Sequence, residues 1–228
     1  LKEVEADSVS GEMKIKAYNL LANIDSSHSE FYYEKAVKIN PVNIDKTCLS
    51  ELYYKYAQLL IKNNNEKSGI EYYKKCLELG ENNNPYLSYA LFDIAEIYED
   101  MTQNKTAINY YAQSLKIARV SENLNIMYSC SMKLADIFSR TKTEKAEQYY
   151  KNAIEYAQKL NEDFYILSAY TALGDFYISR KEYKSALENY KSAYNIANKD
   201  VYKDNLKKIT SRINDIKQLF NGERLSES

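Results

Sequence analysis

Four kinds of residue in this chain could do chemistry, and their spacing argues against each. The single histidine, His28, stands in the run Ser26-Ser27-His28-Ser29. One histidine cannot supply a multi-histidine metal site, and a Ser/His/Asp triad would have to be built on that residue alone. The run reads as a solvated turn. Asp93, Glu96, Glu99 and Asp100 form a carboxylate cluster, the kind of group that performs acid/base work when burial separates two pKa values. Acids three and four apart on a helix otherwise form a solvated face, which is the expectation here. Cys48, Cys76 and Cys130 lie 28 and 54 residues apart. That spacing fits neither a disulfide framework nor a CxxC metal pair, so buried thiols in a reducing compartment are expected. The five glycines, at 11, 69, 80, 174 and 222, cannot form a phosphate-cradling GxGxxG or GxxxxGK[ST] loop, because no two lie within ten residues. Neither catalysis, metal nor cofactor is expected.

The elements that position these residues follow from composition. With 228 residues, 45% hydrophobic and 28% charged, and only five glycines and two prolines, turns must be few and helices long. Thirty-one basic and 32 acidic side chains leave a formal net charge of −1, so no global field draws the chain to nucleic acid or an anionic membrane. Apolar runs last a few residues, far short of the ~20 that cross a bilayer, and the N-terminus lacks a signal-peptide pattern. A cytoplasmic protein without nucleic-acid or membrane partners is expected. The start at Leu1 instead of Met leaves room for a preceding leader or domain.

A repeat organises the chain. Ala57, Ala95, Ala135 and Gly174 each precede a large residue by three positions and are separated by 38, 40 and 39 residues. After each comes a small-large-small triplet at helical spacing: Gly69/Tyr73/Cys76, Ala107/Tyr111/Ser114, Ala146/Tyr150/Ala153 and Ala186/Tyr190/Ala193. Offsets of four and three place each triplet on one helical face. Two antiparallel helices approach closely where one offers a small residue to the ring of the other, so Gly174 and Ala186 make room and Tyr177 and Tyr190 fill it. A lone hairpin leaves one face bare, and the next must stack on it.

The pattern L-G-x-x-Y followed by A-x-x-x-Y-x-x-A, carried by Leu173, Gly174, Tyr177, Ala186, Tyr190 and Ala193, resembles the tetratricopeptide repeat family. The resemblance implies an all-α, right-handed superhelical solenoid of antiparallel helix hairpins. Four repeats are expected over 45–200, preceded by a degenerate one over 1–44 with Ala17, Leu20, Tyr33, Ala36 and Pro41. A period near 39 exceeds the family's usual 34, so the helices are extended. The fourth repeat has one residue fewer between Phe138 and Ala146 than the last has between Tyr177 and Ala186. Asn84 with Pro85, and Asn43 or Asp45, are expected to start helices, and Asn63-Asn64-Asn65 to form a turn. Over 201–220, Leu206, Ile209, Ile213, Ile216 and Phe220 form one apolar stripe, expected to cap the last hairpin or to mediate self-association. Residues 221–228 read as a disordered tail.

In that family a protein or peptide partner lies on the concave side, lined by the first helix of each hairpin. The corresponding positions here are six and three before, and one and four after, each small anchor. They read Glu51, Tyr54, Gln58, Ile61; Tyr89, Phe92, Glu96, Glu99; Ser129, Met132, Asp136, Ser139; and Ser168, Thr171, Asp175, Ile178. Five are acidic and none is basic, a draw that a balanced composition produces roughly once in thirty. Tyr54, Phe92 and Met132 beside the acids suit a segment with Lys or Arg flanked by apolar anchors. The same acids would repel a carboxylate, so no clamp for a C-terminal tail is expected. A scaffold or adaptor is the leading expectation. A sensory or regulatory repeat domain of a larger bacterial-type signalling protein is the alternative. Tyrosine pairs at 32–33, 72–73, 110–111 and 149–150 are expected to place their second member in the core and their first half-exposed.

Overall fold

The computed structural model describes residues 3–6, 9–39, 41–80, 84–140, 143–198 and 202–226, with side chains up to residue 219. Among these residues all regular structure is helical, in two compact units. Unit 1, Leu1–Glu122, holds α1 (Gly11–Ile24), α2 (Ser29–Val37), α3 (Lys46–Lys62), α4 (Glu66–Glu78), α5 (Pro85–Asp100) and α6 (Asn104–Val120). Unit 2, Asn123–Ser228, holds α7 (Leu124–Ser139), α8 (Glu144–Leu160), α9 (Asp163–Ser179), α10 (Tyr183–Ala197) and α11 (Lys203–Ser226). Consecutive helices pair as hairpins: α1 with α2, α3 with α4, α5 with α6, α7 with α8, α9 with α10.

The packing follows residue size. Ala57, Ala95 and Ala135 have no exposed surface, and Gly174 is buried. Tyr73, Tyr111, Tyr150 and Tyr190, the large members of the triplets, are all buried. A Cβ at Gly174 would lie 2.7 Å from Cε1 of Tyr190, so only glycine lets that ring seat. In the two later tyrosine pairs the first member stacks instead on the facing helix, while Tyr72 packs at a tilt against Tyr53 and Tyr56. Tyr110 lies on Tyr98 at 5.5 Å and Tyr149 on Phe138 at 5.7 Å, both nearly coplanar, and all four rings stay half-buried. Tyr32 departs from that pattern and is buried against Tyr18.

Scarce glycine shapes the turns. Asn64, Thr102 and Lys181 take φ of 60°, 60° and 63° at equivalent places, and each closes its helix with paired bonds. Asn65 N–H donates to Leu60 O and Asn64 N–H to Ile61 O, and the same pairs recur at Gln103 with Tyr98 and Glu182 with Tyr177. Thr143 N–H reaches Phe138 O in the corresponding way at 3.5 Å, so the residue missing from the fourth repeat is removed at the entry to α8. The middle of that turn, 141–142, lies outside the described residues. Asn84 caps α5 with Pro85 in its first turn, Asp45 caps α3, and Asn43 takes φ of 63° in the loop before it.

The first hairpin corrects the expected register. Leu20 is 59% exposed and Ala17 only half-buried, whereas Ile15, Tyr18, Asn19 and Ala22 face the core. Asn19 therefore stands where the other hairpins have Ala or Gly, and Ser29/Tyr33/Ala36 completes the small-large-small triplet. A polar anchor breaks the small-residue pattern there and obscures the register of α1. Its Oδ1 is buried and finds no hydrogen-bond partner. Asn19→Ala removes that unmet polar group and restores the small anchor, so thermal unfolding is expected to rise by an amount equivalent to about 1 kcal/mol. α1, α2 and α3 share one apolar cluster that includes Ile15, Tyr33, Leu52 and Tyr56.

At the other end α11 packs on α10, burying Ile209 and Ile216 and half-burying Leu206 and Ile213. The Phe220 side chain lies outside the described residues. The helix continues to Ser226, so 221–226 of the expected tail are helical. Gly222 is a weak breaker, costing only about 1 kcal/mol inside a helix.

Candidate functional site

In unit 1 the first helices α1, α3 and α5 contact one another in order, which brings the candidate positions on α3 and α5 together. Tyr54 sits at the centre of a ring cluster, 5.8, 5.7 and 5.7 Å from Tyr73, Tyr86 and Tyr89. Phe92 packs on Tyr111 at 5.3 Å. Gln58 is exposed and donates from Nε2 to the Tyr54 hydroxyl at 2.7 Å. Beside these lies a cleft of about 370 Å³ lined by Gln58, Ile61, Lys62, Tyr73, Asp93, Glu96, Ile97 and Asp100. Three carboxylates, one lysine and two isoleucines converge there.

Asp93 corrects the expectation of a wholly solvated acid cluster. Burial pushes its carboxyl from 3.8 up to about 6, the Tyr73, Tyr54 and Gln58 hydrogen bonds pulling the other way and the Glu96 charge adding to the rise. The Tyr73 hydroxyl donates to its Oδ2 at 2.7 Å and Gln58 Nε2 at 3.4 Å. Burial, with the Asp93 charge next, raises the Tyr73 and Tyr54 hydroxyls well above the usual phenol range. A signal for Asp93 was present in the sequence. In the three later hairpins the buried tyrosine hydroxyl finds an acid on its own first helix: Tyr111 with Glu99 at 2.8 Å, Tyr150 with Asp136 at 2.7 Å, and Tyr190 with Asp175. The second hairpin has Gln58 and Ile61 at those places, so Tyr73 must reach forward to the next repeat for its acceptor.

Glu99, Asp136 and Asp175 thus have a packing cause for their acidity, as acceptors for core hydroxyls that burial would otherwise leave unmet. In unit 2 Asp136 and half-buried Met132 lie on α7, and Asp175 on α9. Asp175 also meets a cation that the first-helix positions did not show. Arg212 of α11 places Nη2 2.9 Å from Asp175 Oδ2 and its guanidinium 5.8 Å from the Tyr190 ring centre. Tyr128 and Tyr165 stack at 4.6 Å between α7 and α9, off the partner-facing stripe of both helices.

The other chemical candidates resolve simply. Asp25 and Ser27 both meet Nδ1 of exposed His28, at 2.9 and 3.0 Å, and Ser27 Oγ donates to Asp25 at 2.6 Å. A triad needs nucleophile and acid on opposite ring nitrogens, so this is a local turn network. All three cysteines are buried free thiols, and burial pushes Cys76 up to about 12. Among the described residues no group of three or more His, Cys, Asp or Glu is placed to hold a metal ion. No described helix is long and apolar enough to cross a membrane.

Comparison with known proteins agrees with this geometry. Tetratricopeptide repeat family models match residues 50–83, 88–120 and 127–199. A TPR repeat-containing protein of Methanocaldococcus jannaschii is 24% identical over 199 residues, covering 82% of this chain. The chain spans 34% of that relative's length. The crystal structure of the apo form of RapI superposes with a TM-score of 0.69 at 18% identity, over 94% of this chain and 60% of that one. A Rap protein complexed with competence and sporulation factor gives 0.53 at 21% identity, over 95% and 62%. With its repeats matched and its hairpins built as the size pattern requires, this chain belongs to the tetratricopeptide repeat family of protein-interaction scaffolds.

Proposed function

We propose that this chain is a non-enzymatic adaptor that holds a protein segment carrying basic residues beside apolar ones, against its first-helix face. The observation that carries this reading is the unit 1 cleft, where Asp93, Glu96 and Asp100 stand within one lining with Ile61 and Ile97. A Lys or Arg side chain entering it keeps its methylenes on the isoleucines and its charge on the acids. Tyr54, Tyr89 and Phe92 supply aromatic surface next to it, and Glu99 extends the acidity along α5. In unit 2, Met132, Asp136 and Asp175 offer related chemistry on α7 and α9. The solved complex of a Rap protein with competence and sporulation factor supports the reading, since a chain of this fold there holds a second molecule.

Glu96 is half-buried on α5 and lines the cleft, so its reversal tests the reading directly. Against a peptide selected on the wild-type chain from a random displayed library, Glu96→Lys is expected to weaken binding roughly tenfold and to flatten the salt dependence. Adding Asp136→Lys deepens the loss. Fluorescence anisotropy at two salt concentrations reads both effects. Unchanged affinity with an unchanged salt slope would remove this face from consideration.

A further inference from the structure

The corrected register of α1 extends the proposed partner face. With Asn19 as anchor, the positions six and three before and one and four after are Met13, Lys16, Leu20 and Asn23, with Ile24 alongside. Met13, Leu20 and Ile24 are 62%, 59% and 73% exposed, the largest run of bare apolar side chains on any one described helix. They stand on the side of α1 that corresponds to Tyr54 and Gln58 on α3 and to Phe92 and Glu96 on α5. Lys16 is paired with Glu12, so this end offers apolar surface without net charge. The α5 end offers the acids of the cleft.

Resting on the adaptor reading above, we infer that unit 1 binds one extended segment with a fixed polarity, its apolar anchor seated on Met13, Leu20 and Ile24 and its Lys or Arg in the cleft at Asp93 and Glu96. Charge complementarity selects this occupant. A cation gains nothing at the α1 end and is matched at the α5 end, while an apolar side chain is desolvated best over Leu20 and Ile24. Helix axes pack about 8–10 Å apart, so two steps from α1 to α5 cover about 20 Å. An extended chain rises about 3.3 Å per residue, which places anchor and cation about six residues apart.

The test uses a random 16-residue displayed library selected on the full chain, on Leu20→Lys with Ile24→Lys, and on Glu96→Lys. Both residues of the double variant are exposed, so its melting temperature is expected to match the wild type. Sequences selected on the wild type are expected to pair an apolar cluster with Lys or Arg about five to seven positions away. The double variant is expected to keep the basic preference, lose the apolar one, and bind the wild-type peptide roughly tenfold more weakly. Identical sequences and equal affinities on wild type and double variant would overturn the apolar seat and leave the adaptor reading standing. Absence of basic enrichment on the wild type, or of any binder, would overturn both. A wild-type dimer that the double variant converts to a monomer in light scattering would assign the stripe to a second copy and overturn the seat.

Discussion

Replacing Tyr190 with Ala is expected to lower the stability of unit 2 by about 3–5 kcal/mol. The ring is 1% exposed and lies against Gly174, where a Cβ would already approach to 2.7 Å. Its removal opens a cavity between α9 and α10 that neither helix can close, because Ala186 and Ala193 on the same face have nothing to extend into it. The same contact limits substitution from the other side. Gly174→Leu forces side-chain atoms into the ring and is expected to cost about 3 kcal/mol, the upper end of the usual range for overpacking. Tyr190→Phe separates packing from hydrogen bonding. It keeps the ring and loses only the bond to Asp175, so about 1 kcal/mol is expected. At this chain length a loss of 1 kcal/mol lowers the melting temperature by about 2–4 °C, so the Ala and Leu variants should melt roughly 10 °C early. Circular dichroism melts of the three variants measure this directly. Wild-type melting in Tyr190→Ala and Gly174→Leu would show that the small and large positions do not meet.

Asp93→Asn is expected to stabilise unit 1 near pH 7.5 and to remove one component of its pH dependence. The folded pKa, about 6, exceeds the ordinary 3.8, so the folded chain holds this proton more tightly than the unfolded chain does. The stability tied to it grows as pH falls from 7 through 6 and is complete below about 4. Conversely, the ionised buried carboxylate is a burden above pH 6. One pKa unit corresponds to about 1.4 kcal/mol, so the shift bounds the effect near 3 kcal/mol, and about 1–3 is expected once hydrogen bonds are allowed for. Asn retains an acceptor for the Tyr73 hydroxyl and carries no charge. Other carboxylates act with opposite sign. Lys151 holds Glu147 below its usual range, so its contribution is lost as pH falls, but this term is common to both proteins and cancels in the difference. Urea unfolding at pH 5 and pH 7.5 should show wild type and variant converging at the lower pH and separating at the higher. Parallel curves would mean that Asp93 is solvated after all.

The hairpins were legible because their cause is local and repeated. A small residue at Ala57, Ala95, Ala135 or Gly174 and a tyrosine at a set offset report a steric fit that holds whatever surrounds it. In the first hairpin Tyr33 and Ala36 were legible but the register of α1 was not, because Asn19 performs the anchor's geometric duty with a polar side chain that neither size nor hydrophobicity marks. Asp93 was visible as one of four acids, but its bond to Tyr73 was not, because it lies two residues before its anchor, off the first-helix stripe. Only the missing acid at Gln58 and Ile61 marked that the Tyr73 hydroxyl needed a partner elsewhere.

From residue order alone came the helical class, the repeat period, the buried tyrosines and thiols, and the absence of the familiar catalytic motifs. These depend on contacts within one hairpin, where the separation in sequence dictates the separation in space. Three things were settled only by the folded chain: that Asp93 is half-buried between Tyr73 and Glu96, that Arg212 from the terminal helix meets Asp175, and that Met13, Leu20 and Ile24 are left bare. Each depends on which neighbour another hairpin or helix presents. That neighbour is set by packing between elements far apart in the chain, which no periodicity within a single helix encodes.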